Sequence, residues 1–126
     1  LMLLALTAFF IAISPSITKT IQATHFALSA QSQQAFYNDL TNAIEQVHLL
    51  GSGNVMRLEY ASEGESKIEF DESASEITLA FSYAGHEKKF SKKLLYQVQA
   101  SEKIKEGKHW IKVENNGGEI MVYEEK

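Results

Sequence analysis

The sequence predicts an α+β chain: a long N-terminal hydrophobic α-helix followed by a small antiparallel β-sandwich or partly open barrel. Three observations carry this prediction. The chain holds 12 Lys+Arg and 16 Asp+Glu, yet only Lys19, Asp39 and Glu45 among them fall within residues 1–50. All seven glycines come after residue 50, and the single proline, Pro15, comes before it. From residue 54 onward, short apolar–polar alternations are separated by turns at roughly ten-residue spacing. Two units are expected: residues 1–50, a helical stem whose second half is amphipathic, and residues 51–126, a β-rich head.

The stem opens on Leu1–Ile13, LMLLALTAFFIAI, in which Thr7 is the only polar residue. The run resembles the apolar region of a signal peptide, but no basic segment precedes it and the chain does not begin with Met, so something upstream of Leu1 is expected to have been removed. The uncharged stretch to Thr18 spans ~27 Å as a helix, just short of a ~30 Å hydrocarbon core. It is apolar on every helical face, so it needs lipid or protein on all sides. Enclosing the eight Leu, Phe and Ile side chains of Leu1–Ile13 is worth at most about 12–24 kcal/mol. Pro15 removes one helical hydrogen bond and predicts a kink, with Ser14 and Ser16 placed to bond the freed carbonyls.

Beyond Pro15 the pattern changes. Ile17, Ile21, Leu28 and Ala35 fall near one helical face. Phe36, Leu40, Ala43, Ile44, Val47 and Leu50 then follow the spacing of an amphipathic helix with a partner-facing stripe. Gly51-Ser52-Gly53 ends it.

The head reads as six or seven strands. Val55–Ala61 alternates about Met56, Leu58 and Tyr60, and Ile68 and Phe70 follow the turn at Glu63-Gly64-Glu65. Ile77, Leu79, Phe81 and Tyr83 alternate up to the turn Ala84-Gly85-His86, and Lys88–Ser91 and Leu94–Val98 come next. Lys108–Glu114 pairs with Gly118–Glu124 across Asn115-Asn116-Gly117-Gly118, a hairpin signal. The helix from Phe36 to Leu50 is expected to close the open face of this head.

Several functions lose support. A net charge of −4 argues against nucleic-acid binding, which draws on a basic surface. With no cysteine, thiol catalysis, thiolate zinc and iron–sulfur sites are excluded. His25, His48, His86 and His109 show no metal-ligand spacing, and no phosphate-cradle or nucleophile-elbow motif occurs. The acidic set Glu63, Glu65, Glu69, Asp71, Glu72 and Glu76 lacks calcium-loop spacing and reads as a solvated face. Lys88, Lys89, Lys92 and Lys93 suit a charged edge strand, or a salt-sensitive contact with that acidic set in a neighbouring subunit. No catalytic, cofactor or metal residues are assigned, and an enzyme is not expected.

The order of these features resembles an archaeal type IV pilin-like subunit, the group that includes adhesion pilins and archaellins. The apolar start Leu1–Ile13, the amphipathic helix to Leu50, the Gly51-Ser52-Gly53 exit, the opening strand Asn54–Tyr60 and the β head carry the likeness. So does the junction Ala43–Val55. The resemblance implies a lollipop architecture and a structural role as a pilin in an extracellular filament, with surface adhesion expected. Identical subunits in a helical homopolymer are the implied partners, with a membrane anchor before assembly. Leu1, Leu3, Leu4, Leu6, Phe9, Phe10, Ile11, Ile13, Ile17 and Ile21 would form the filament core. Phe36, Leu40, Ile44 and Val47 would pack the helix on its own head. Two other readings stand beside it: a single-pass anchored extracellular binding domain, and a pseudopilin, minor pilin or archaellin of a related machine.

Overall fold

The computed structural model describes residues 24–125. A helix, α1 (Met2–Leu50), is described from Thr24 onward. Seven strands follow: β1 (Val55–Ser62), β2 (Glu65–Asp71), β3 (Glu76–Tyr83), β4 (His86–Lys93), β5 (Val98–Ile104), β6 (Gly107–Asn116) and β7 (Glu119–Glu124). They form one sheet in the order β1-β6-β7-β5-β2-β3-β4.

This corrects the expected fold class. The head is a single mixed sheet curled into a half-barrel, not an antiparallel sandwich, and β5 and β7 run parallel. The parallel pair follows from connectivity. The chain reverses between β5 and β6, then again at the Gly117–Gly118 turn, and β7 inserts between the two. A second sheet is unnecessary because the helix supplies the opposing layer. The expected long hydrophobic helix is also corrected within the described residues. From Thr24 to Leu50 the helix is amphipathic, and among the described residues no helix is long and apolar enough to cross a membrane. The filament-core set Leu1, Leu3, Leu4, Leu6, Phe9, Phe10, Ile11, Ile13, Ile17 and Ile21 lies outside the described residues, as does the kink at Pro15.

Curling is dictated by one short connection. Only Glu63 and Gly64 separate β1 from β2, so Ser62 and Glu65 lie at most ~11 Å apart. Four positions apart in a flat sheet, those strands would lie about 19 Å apart. The sheet bends until they meet. At the crossing, Gly64 is buried, and a Cβ there would sit 2.2 Å from the Ser82 carbonyl oxygen and 2.8 Å from the Phe81 ring. No residue with a side chain fits without moving backbone.

Period-two alternation sends Tyr60, Ile68, Leu79, Phe81, Ile111 and Ile120 to the concave face, where each is fully buried. α1 lies along this face and contributes Phe36, Tyr37, Leu40, Ala43, Ile44 and Val47 to the same core. The stripe differs from the sequence reading at both ends: Leu50, expected to be its last member, is exposed. Leu28 is 58% exposed and Ala35 is exposed, while Gln33 and Thr41 are buried. Leu28 and Ala35 fall about a quarter-turn from the line through Phe36 and Leu40.

Candidate interaction site at the ends of the head

The helix is held on the head by polar clamps as well as by its apolar stripe. At its C-terminal end the Asn115 side chain donates to the Val47 carbonyl (2.9 Å) and accepts from the Gly118 amide (2.9 Å). Those bonds satisfy a helix-end carbonyl and a turn amide inside the protein. The main chain of the same residue pairs with Asn54 and Gly53. In the sequence Asn115 reads only as part of a hairpin turn. Its role as the anchor of a helix terminus 68 residues away was not legible there.

Midway, a buried relay crosses from sheet to helix. The Tyr60 hydroxyl donates to Ser66 Oγ (2.6 Å), which donates to Gln33 Oε1 (3.3 Å). Burial raises the Tyr60 pKa. Nearby, the Tyr37 hydroxyl donates to the Ile77 carbonyl (2.8 Å). Burial, and secondarily the negative charge of Glu76, push its pKa up to about 12. Every buried side-chain polar atom among the described residues has a partner. Phe36, Leu40, Ile44 and Val47 lie at 0–7% exposure in this layer, with the Phe36 ring edge-on to Tyr60 at 5.1 Å.

The two ends of the head differ. At one end α1 enters beside the β1–β2 and β3–β4 turns, where His25 approaches Glu63 (3.8 Å) and Phe26 packs on Phe81 and His86. A cleft of about 550 Å³ opens there between helix and sheet, lined by Leu28, Ser29, Ser32, Gln33, Ser62 and Glu63 among others. At the other end lie the C-terminus of α1 and the bend between β4 and β5. The Tyr96 ring stacks on His48 at 3.8 Å and ties the bend to the helix. Three leucines are left bare at this end: Leu95 is 102% exposed, Leu49 75% and Leu50 66%.

The convex face is a solvated ionic surface. Arg57 bonds Glu125 (2.7 Å) and lies over the Trp110 ring (4.8 Å), and Lys108 meets Glu59 (2.9 Å). Such exposed pairs contribute little stability. Asp71 closes the β2–β3 turn by accepting from Ser73 and Ala74, which lowers its pKa. Lys88, Lys89, Lys92 and Lys93 stand exposed on β4, a free edge of the sheet, where they oppose unwanted strand pairing. The histidines are dispersed: besides those already placed, His109 meets Glu124 at 2.6 Å. Among the described residues, no three His, Asp or Glu side chains converge on a metal position.

The arrangement is a polar-clamped helix–sheet unit with one apolar end. No family model, curated protein or solved structure matches the chain.

Proposed function

We propose that this chain is a structural subunit, a pilin-like protein that polymerises through its uncharged N-terminal run into an extracellular filament with the β head outermost and surface adhesion as its role. Before assembly the same run holds the subunit in the membrane, since lipid tails and neighbouring helices offer similarly apolar surroundings. The supporting observation is how α1 is used. The stripe from Gln33 to Val47 already occupies the concave face of the head, whose core residues are covered. Leu1–Ile13 therefore has no partner surface left on that face, and a run that is apolar all round requires enclosure. Lipid supplies it first and sister copies afterwards. Repeated copies related by a screw operation place neighbours on every side, and such contacts grow an open polymer.

The test is Phe10→Asp, which puts a charge in the run. Negative-stain microscopy should show filaments from the parent and none from the variant, with unchanged β-sheet circular dichroism from both. Normal filaments from Phe10→Asp overturn the proposal. A parent protein that stays monomeric in detergent and after its removal overturns it too, in favour of a membrane-anchored head that acts singly.

A further inference from the structure

We infer that the free edge of β4 receives an extended acidic segment of another protein as an added strand. β4 is the last strand of the sheet and pairs with β3 alone, so about half of its backbone N–H and C=O groups point outward. It reads HEKKFSKK: four lysines against Glu87, a net +3. The rest of the chain holds eight basic and 15 acidic side chains, a net −7. Lys89 reaches Glu87 on its own strand (3.7 Å). Lys88, Lys92 and Lys93 form no ion pair among the described residues. The other free edge, β1, is different: its Arg57 meets Glu125 and its Glu59 meets Lys108. Protecting a free edge in this fold therefore does not by itself require uncompensated cations.

The lysines lie on both faces of the strand. Phe90 stacks on Tyr37 of α1 (5.8 Å), and Ser91 bonds Thr78 on the outer face. Alternation places Lys88 and Lys92 beside Phe90 on the helix side, and Lys89 and Lys93 beside Ser91 on the other, ~13 Å apart within each pair. A flat anionic surface such as a bilayer meets one face of an edge. An extended chain laid along the edge meets both, because its own side chains alternate. Its backbone pairs with the outward ladder groups, and its carboxylates stand directly opposite lysines. The matching segment has two adjacent acidic residues, two neutral ones and two more acidic residues, with an apolar side chain opposite Phe90. No stretch of this chain has that spacing; the nearest, Asp71, Glu72 and Glu76, lacks one acid and is folded into the β2–β3 turn. A second β4 would set lysine against lysine. The occupant is therefore a different protein.

The probe is a fluorescein-labelled peptide whose centre reads Glu-Glu-Thr-Val-Glu-Glu. It is titrated by anisotropy with the full chain in non-ionic detergent, so the measurement does not depend on filament formation. Saturable binding is expected. Two further peptides carry backbone N-methyl groups on alternate residues, in opposite phases, with charge unchanged. The phase that blocks the amides facing β4 should bind at least ~10-fold more weakly than the other, since strand addition uses main-chain hydrogen bonds. Replacing the lysines together (Lys88→Gln, Lys89→Gln, Lys92→Gln and Lys93→Gln) should weaken binding at least ~10-fold with unchanged circular dichroism. If that variant loses its β-sheet spectrum, Lys89→Glu with Lys93→Glu, on the face away from the helix, takes its place with the same expectation. Equal affinity of the two N-methylated peptides overturns the inference, as does undiminished binding by the folded lysine variant. Capture of phosphatidylglycerol vesicles without the peptide overturns it in favour of a membrane contact, and no binding at all leaves the lysines a purely protective role. Either failure leaves the filament reading standing, and a parent that never assembles leaves the β4 site standing.

Discussion

Leu40 and Leu95 are the same residue in opposite situations. Leu40 is fully buried between helix and sheet, and Leu95 is fully exposed on a bend. The docked face of α1 is a finished surface: apolar stripe, buried relay through Gln33 and Ser66, and a capped terminus at Asn115. The end of the head has the same kind of side chains with no intramolecular cover. The contrast separates two uses of apolar surface. One stabilises the subunit, and the other adds nothing to the packing of the described residues.

Substitutions sharpen that contrast when ranked by size. Leu40→Ala empties the middle of the core and should cost about 2–5 kcal/mol in urea unfolding. A smaller loss, comparable to an exposed substitution, would mean that the helix is not part of the cooperative unit. Gly64→Ala drives a Cβ against the Ser82 carbonyl and should cost about 1–3 kcal/mol. Thermal melts that coincide with the parent's would show that the β1–β2 crossing is looser than the sheet's curl demands. Asn115→Ala leaves the Gly118 amide without its side-chain acceptor and the Val47 carbonyl with the Gly51 amide alone, and should cost about 1–3 kcal/mol. Amide exchange should then accelerate first in the last turn of α1.

The pH response has a definite sign. Tyr37 titrates at about 12 in the fold against 10.0 when unperturbed. The folded state therefore keeps a proton that the unfolded chain has lost between those values. Its contribution is complete below pH 10 and disappears as pH climbs through about 12. Tyr60, also raised by burial, acts in the same direction. Unfolding midpoints should fall from pH 10 upward, and Tyr37→Phe should flatten that fall. At the far end of the scale, Leu95→Ala should change subunit stability by less than about 0.5 kcal/mol. A larger loss would place Leu95 in the fold rather than at its surface.

Much of this unit was readable from local pattern. Alternation about Tyr60, Ile68, Leu79 and Phe81 identified strands and their inner faces, because a strand's side chains alternate strictly. The stripe Phe36, Leu40, Ile44 and Val47 followed from helical period alone. What failed were judgements that need distant residues. Leu28 and Ala35 were placed near one helical face, but that face is turned away from the sheet, which takes up the side that carries Gln33, Phe36 and Leu40. Gln33 looked like a polar spacer because its partner, Ser66, lies 33 residues away. The apolar end was invisible for the same reason: Leu49–Leu50 and Leu95 are far apart until the His48–Tyr96 stack joins their segments.

Short-range spacing by itself determined that the chain alternates between one helical stretch and a series of short strands, and that charge is nearly absent from its first fifty residues. Those properties arise from side-chain periodicity and composition within a few residues. Tertiary structure alone decided that seven strands share one curled mixed sheet, that β7 slots between β5 and β6, and that three leucines remain uncovered at one end. Each depends on closure across tens of residues, where a two-residue connection and a single helix leave the sheet no room to split into two layers.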